Sequence, residues 1–197
     1  MKNVIPKDTR YVPITQQPAC CVPASISVVM LKLGIPLISQ ELLGYHLGLR
    51  VNRKVKSLFW NARTGLKPGA GYGTQMMKKE YNENSAFKKL KIPLKSTHYP
   101  IENFKSKEEV VKFIYNRINK NSDLIVFLRS GVLNDNIKKN GHACVIDRIY
   151  PKKDTIRLID PAAKQAKWRE FKIDKFIKAM KLHPTHEGRL MELRKIK

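Results

Sequence analysis

The hydrophobic pattern of this chain is helical in its first half and strand-like in its second. From Cys21 to Leu33 the run CVPASISVVMLKL is closed by Gly34 and then Pro36. Pro23 is tolerated in a first helical turn, where its missing N–H has no partner to lose. Gly34 suits a left-handed cap. Apolar residues fall on nearly every side, which predicts a central helix buried on most faces. Ser39 to Leu47 reads as a second helix, opened by half a capping box. Thr74 to about Leu90 reads as partly helical, with Asn82 and Asn84 weakening its middle. Ser106 opens S-K-E-E, a capping box, and Val110, Val111, Phe113, Ile114 and Ile118 follow at helical spacing up to Asn119.

Beyond that point the period shortens. Asp123–Leu128 is a short apolar run typical of a buried strand, followed by a polar loop from Ser130 to Asn140. His142–Ile149 and Thr155–Ile159 read as two strands joined by the turn Tyr150–Asp154. Lys167–Lys172 and Arg189–Ile196 add further strand, with a short helix near Asp174–Lys181. Pro6 and Pro13 keep residues 1–15 extended. Helices first and clustered strands later predict an α+β fold, N-terminal helices packed on a C-terminal antiparallel sheet.

Composition narrows the class. A chain of 197 residues, 42% hydrophobic and 8% aromatic, is long enough for one domain spanning 1–197 with its own core. No internal repeat is present. Three cysteines, two of them adjacent, argue against a disulfide framework. The start, Met1 to Pro6, lacks an apolar signal core, and Val22–Leu33 is too short to span a bilayer. Those features together predict a cytoplasmic protein.

The formal charge is +23. Between Arg50 and Lys95 stand twelve Lys or Arg against two acids, Glu80 and Glu83. Such a surface attracts an acidic peptide or protein, a nucleic acid or an anionic membrane, or is simply solvated. Arg50, Arg53, Lys54, Lys56, Phe59, Trp60 and Arg63 mix cations and aromatics as nucleic-acid surfaces do. An amphipathic helix with Val51, Val55, Leu58 and Phe59 inward is the stronger reading of the same stretch. The glycine cluster after Lys67 is a loop and matches no phosphate-binding motif.

Three separated fragments carry the chemistry: Gln16 to Ser25 (QQPACCVPAS), Gly141-His142-Ala143-Cys144-Val145, and Leu158-Ile159-Asp160-Pro161-Ala162. Cys21 stands at the start of the apolar helix, where partial positive charge and free N–H groups favour a thiolate. Its own N–H and the amide of Gln16 or Gln17 are candidate donors for an oxyanion. His142 opens a strand, and Asp160 ends the next one, a hairpin away. Adjacent antiparallel strands bring the two side chains together, so the carboxylate would fix the imidazole tautomer. A zinc site from Cys20, Cys21, His142 and Cys144 is the weaker alternative, since adjacent cysteines ligate poorly and no C-x-x-C spacing exists. Cys144 shares a strand face with His142 and underlies it as core. His46, His98, His183 and His186 show no acidic or thiol companions and are assigned no role. No cofactor or metal is expected.

Q-x(4)-C-x-P-A-S, a G-H leading an apolar strand, and a hairpin ending in D-P-A resemble the bacteriocin-processing peptidases and their free-standing relatives. These are papain-like cysteine peptidases, whose transporter-linked members cut after a double-glycine leader. The resemblance covers roughly residues 10–165. It implies a papain-like fold, a peptide or protein substrate, Cys21 as nucleophile, His142 as base, Asp160 as orienting residue and Gln16 as oxyanion donor. The sequence departs from the family in two places. Val22 stands where glycine is usual and would crowd the acyl site, and Cys20 occupies a position where another residue is usual. Residues of about 50–73 look like a basic insertion. No transporter module follows in this sequence, so the leader-processing role is not carried over. The rival reading is a catalytically degenerate peptidase fold that binds nucleic acid or an acidic partner through its basic surface.

Overall fold

The computed structural model describes residues 5–59, 67–136, 140–161, 165–185 and 188–196. In chain order the elements are α1 (Cys21–Lys32), α2 (Gln40–His46), β1 (Arg50–Val51), β2 (Gly69–Ala70), α3 (Glu83–Lys89), β3 (Leu94–Pro100), α4 (Lys107–Asn119), β4 (Asp123–Arg129), α5 (Ser130–Leu133), β5 (Gly141–Tyr150), β6 (Thr155–Asp160), β7 (Lys167–Lys172), α6 (Ile173–Lys181) and β8 (Arg189–Lys195). Six strands form one antiparallel sheet in the order β3-β8-β4-β5-β6-β7, and β1 pairs with β2 in a separate parallel ribbon. This is an α+β, papain-like arrangement.

The sheet is covered on both faces, and the strand period of two sorts its side chains between them. Ala143 and Val145 of β5 join Ile125 and Phe127 of β4 in a core under α1 to α3. Cys144 and Ile146 alternate to the opposite core, with Leu124 and Val126, beneath α4 and α6. α1 is buried from Val22 through Met30, which explains its nearly uniform apolar character. Its exit follows the expected stop: Gly34 sits at φ +64, and the Ile35 N–H returns to the Met30 carbonyl. The cap of α4 is also as read. Ser106 accepts from the Glu109 N–H at 3.3 Å, while the Glu109 carboxylate accepts from the Lys105 N–H at 2.7 Å.

Several local expectations are corrected. Asn82 opens α3 rather than weakening a helix, because its side chain accepts the Asn84 N–H at 3.0 Å. The polar loop after Ser130 begins with the short helix α5. Residues Arg53–Leu58 form a 3₁₀ turn, with Phe59 buried but Leu58 66% exposed, so no α-helix with that inward face exists there. β3, unread in the sequence, closes one sheet edge by pairing Ser96 with Leu193 of β8.

The N-terminal segment straps β5 and β6. Asp147 is fully buried at a register shift in β5, and it accepts the Arg10 N–H at 2.8 Å and Arg157 Nε at 2.6 Å. Asp123, at the start of β4, accepts from the Tyr11 hydroxyl and from Lys32 Nζ, both at 2.6 Å. These contacts fix where the chain enters α1, and so where its first turn points.

Candidate active site

α1 meets the sheet at the end where β5 begins. The Ser25 hydroxyl donates to the Ala143 carbonyl at 3.3 Å, holding the helix against that strand. Before the helix, the Cys20 N–H donates to the Gln17 carbonyl at 3.0 Å, and Ala19 takes φ +61. A non-glycine residue in the left-handed region costs of order 1 kcal/mol and persists where its surroundings demand it. Here the tight turn sends two consecutive cysteines to different places. Cys20 is fully buried with Leu49, Val51 and Phe59. Burial, with the neighbouring Cys21 and Glu41, pushes its thiol up to about 12. Cys21 is partly exposed and lines a cavity of about 480 Å³ together with His142.

Burial would raise the Cys21 thiol too. The hydrogen bond and charge of His142 outweigh it, aided by the Ala143 and Val22 backbones, and hold Cys21 below the ordinary thiol range. His142 Nε2 lies 2.8 Å from Asp160 Oδ1, which leaves Nδ1 as the nitrogen for the sulfur. Side-chain exposure is 16% for His142 and 8% for Asp160, so the pair sits in a poorly screened setting. Burial disfavours the imidazolium. The sulfur of Cys144 and hydrogen bonds to Asp160, Cys144 and Cys21 reverse that and raise His142 well above its usual value. Asp160 is driven the other way. Burial raises it, but His142 and Arg169 win and hold the carboxyl at about 2.

Register explains the pairing. The ladder aligns Val145 with Ile159, which sets Asp160, one step on, beside Cys144 and within reach of His142. Arg169 comes from β7, where it pairs with Leu158, and its Nη1 donates to Asp160 Oδ2 at 2.9 Å. Its Nη2 donates to Asn134 Oδ1 at 2.7 Å. This clamp on the carboxylate was not found in the sequence, and an isolated arginine in an exposed-looking strand gives no local signal for it.

Gln16 is placed by its backbone. Its N–H donates to the Pro161 carbonyl at 2.9 Å, next to Asp160. Its Oε1 is buried and unpartnered among the described residues, and no side-chain hydrogen bond joins it to Cys21, His142 or Asp160. Gln40 of α2, also missed, accepts the Gln17 N–H at 2.8 Å and donates to the Thr15 carbonyl at 2.9 Å. It therefore braces the loop carrying Gln16. The cavity wall facing His142 runs from Tyr72 to Lys78, and Val22 is part of the lining.

Other candidates resolve differently. Among the described residues the metal-competent cluster is His142, Cys144 and Asp160, with ligand atoms within 4.8 Å of one another. Cys20 and Cys21 do not belong to it. His142 and Asp160 already bond to each other, and burial raises the Cys144 thiol, so the set is poorly suited to binding a metal ion. His98 does have an acidic companion, contrary to expectation: its Nε2 lies 2.9 Å from Glu83 Oε1, and its Nδ1 accepts from Arg189 Nε at 3.0 Å. His183 lines the cavity. In the basic stretch Phe59 is buried and unable to stack on a base, while Trp60 and Arg63 lie outside the described residues, as does His186 near the C-terminus. No described helix is long and apolar enough to cross a membrane.

A helix-borne thiol, a strand-borne imidazole and a carboxylate on the next strand define the architecture of a papain-like cysteine peptidase. The chain belongs to the Peptidase C39-like family, which it matches over residues 9–182. Its fold is similar to a crystal structure from Bacillus anthracis, assigned provisionally as a C39-like peptidase. The TM-score is 0.56 at 15% identity, covering 94% of this chain and 96% of that one. No curated protein matches the sequence.

Proposed function

We propose that this chain is a cysteine peptidase that hydrolyses a peptide or isopeptide bond through Cys21, His142 and Asp160, with Gln16 as an oxyanion donor. The reading rests on one observation above the rest: His142, held by Asp160 at 2.8 Å, lines the same cavity as Cys21. The Cys21 thiolate adds to the substrate carbonyl, whose oxygen takes the negative charge. The Cys21 N–H, and a Gln16 side chain turned toward the cavity, receive that oxyanion. Collapse of the adduct expels the amine, which takes a proton from the imidazolium. Water, deprotonated by His142, then attacks the thioester, releasing the acid and regenerating the thiolate–imidazolium pair. Throughout, Asp160 keeps the ring oriented and its charge balanced. In this reading residues 1–197 form one peptidase domain, with a basic insertion at about 50–73 and a cytoplasmic setting for its free thiols.

Iodoacetamide at neutral pH, with the labelled sites found by peptide mass spectrometry, tests the proposal. Cys21 should alkylate at least tenfold faster than Cys20 or Cys144, and His142→Ala should remove the advantage, as expected for a paired thiolate. Equal, slow labelling of all three thiols, or faster labelling of Cys20, would overturn it.

A further inference from the structure

Beside the cavity that holds Cys21 lies a second one of about 570 Å³, and Gln75 is a wall of both. Gln75 is fixed there: its N–H donates to the Leu47 carbonyl at 2.9 Å and its amide to the Gly48 carbonyl at 3.2 Å. The second cavity is lined by His46, Arg50, Lys67 and Lys89, with Glu80 as the one carboxylate among its described residues. Arg50, Lys67 and Lys89 are exposed and have no carboxylate partner among the described residues.

The cations stand on a built wall rather than on a loose loop. Arg50 N–H donates to the Gly73 carbonyl at 2.8 Å, Gly69 N–H to Leu49 at 3.0 Å and Gly71 N–H to Val51 at 3.1 Å. Arg50 Nε is pinned on the Ala70 carbonyl at 2.5 Å. Gly71, at φ +139, leaves room for that side chain, because a Cβ there would meet Arg50 Nε at 2.7 Å. Partial burial, and then Lys89, hold His46 below its usual range, so the ring is neutral at pH 7. The groove thus carries one tethered cation, Arg50, and two exposed lysines, Lys67 and Lys89, against the single acid Glu80 among its described residues.

We infer that this groove docks an acidic stretch of the polypeptide substrate, close in sequence to the bond lying over Cys21. The inference rests on the peptidase reading, since the two cavities adjoin at Gln75. Charge complementarity at such a rim contributes encounter rate and register more than bulk affinity. Glu80 opposes any anion alike; a peptide is favoured over a nucleic acid because the adjoining cavity, which shares Gln75, holds the thiol that the peptidase reading sets against a peptide carbonyl.

Fluorescence anisotropy on a Cys21→Ala background reads docking without cleavage. The probes are a fluorescein-labelled Gly-Ser-Glu peptide, its counterpart with Gln for Glu, and a labelled oligothymidylate. The Glu peptide should bind about tenfold tighter than the Gln peptide, with affinity falling as salt rises. Lys67→Gln with Lys89→Gln should weaken it about fivefold, and Glu80→Gln should tighten it about twofold, a gain that misfolding cannot mimic. Lys152→Gln with Lys153→Gln removes the same charge from the β5–β6 hairpin, at the far end of β5 from His142, and should change little. Equal weakening by both double variants, equal binding of the Glu and Gln peptides, or tighter binding of the oligothymidylate through Lys67 and Lys89 would each overturn the proposal. Its failure is separable from that of the peptidase reading, because the binding assay lacks the thiol and iodoacetamide labelling lacks the peptide.

Discussion

Replacing Arg169 with methionine isolates what holds Asp160 ionised. Asp160 drops from 3.8 to about 2 although burial acts to raise it; His142 and then Arg169 supply the opposing pull. At about 1.4 kcal/mol per pH unit, that drop corresponds to about 2.5 kcal/mol of folding stability. Without Arg169 the pull against burial weakens, and we expect the depression to shrink. Removing one partner of a buried pair costs about 3–5 kcal/mol. The Arg169 side chain is 23% exposed, so water replaces part of the loss, and a cost of about 2 kcal/mol at pH 7 is the better figure. The sign follows from the direction of the drop. A carboxyl lowered in the folded state adds stability above its unfolded value near 4 and loses it as pH falls toward 2.

Urea unfolding followed by circular dichroism, at pH 7 and at pH 2.5, measures this. The gap between wild type and Arg169→Met should be widest at pH 7 and shrink by at least about half at pH 2.5. Arg169→Lys should recover part of it, keeping the charge without the two-pronged geometry. Arg169 also packs over the Phe171 ring at 4.8 Å and donates to Asn134. If the gap is the same at both pH values, those contacts account for it and the electrostatic argument is wrong.

Two further substitutions probe the site and its support. Gln16→Ala should lower p-nitrophenyl acetate turnover by about 10- to 100-fold, as loss of an oxyanion donor does, while leaving iodoacetamide labelling of Cys21 unchanged; a matching fall in both rates would mean the loop had moved instead. Asp123→Asn strands Lys32 beside a neutral amide where Tyr11 and Lys32 both now bond at 2.6 Å. It should cost about 2–3 kcal/mol in urea unfolding, and a loss below about 0.5 kcal/mol would place that cluster with ordinary surface pairs.

What could be read from the sequence was what local chemistry determines. α1 announced itself through its early proline, its all-round apolar run and Gly34. α4 did so through Ser106 and Glu109. The His142–Asp160 pairing was legible because a tight hairpin leaves few ways to align β5 and β6. Where the partner is distant, the signal disappears. β3 carries Lys95, His98 and terminal Pro100, a poor strand by composition, and it exists because it is an edge strand zipped onto β8, nearly a hundred residues away. Arg169 and Gln40 act through contacts fixed by register and by helix placement, neither of which their neighbours in sequence encode. Asn82 was misread for a subtler reason: the same residue that disfavours a helix interior favours its start, and only the actual boundary decides between them.

The adjacent cysteines show how far backbone geometry, rather than residue type, sets reactivity here. Cys20 and Cys21 share a helix start, a net-positive protein and nearly the same distance from every long-range charge. Yet one thiol is pushed up to about 12 and the other held below the ordinary range. The helix dipole cannot separate them, since it acts on both within a single turn. What differs is direction: a step of about 100° around the helix carries the second sulfur from a dry cluster to an imidazole. The left-handed Ala19 fixes that step's starting angle. The chemistry proposed for this chain therefore depends on a turn that buries one sulfur with Leu49, Val51 and Phe59 and sets the next in the cavity with His142.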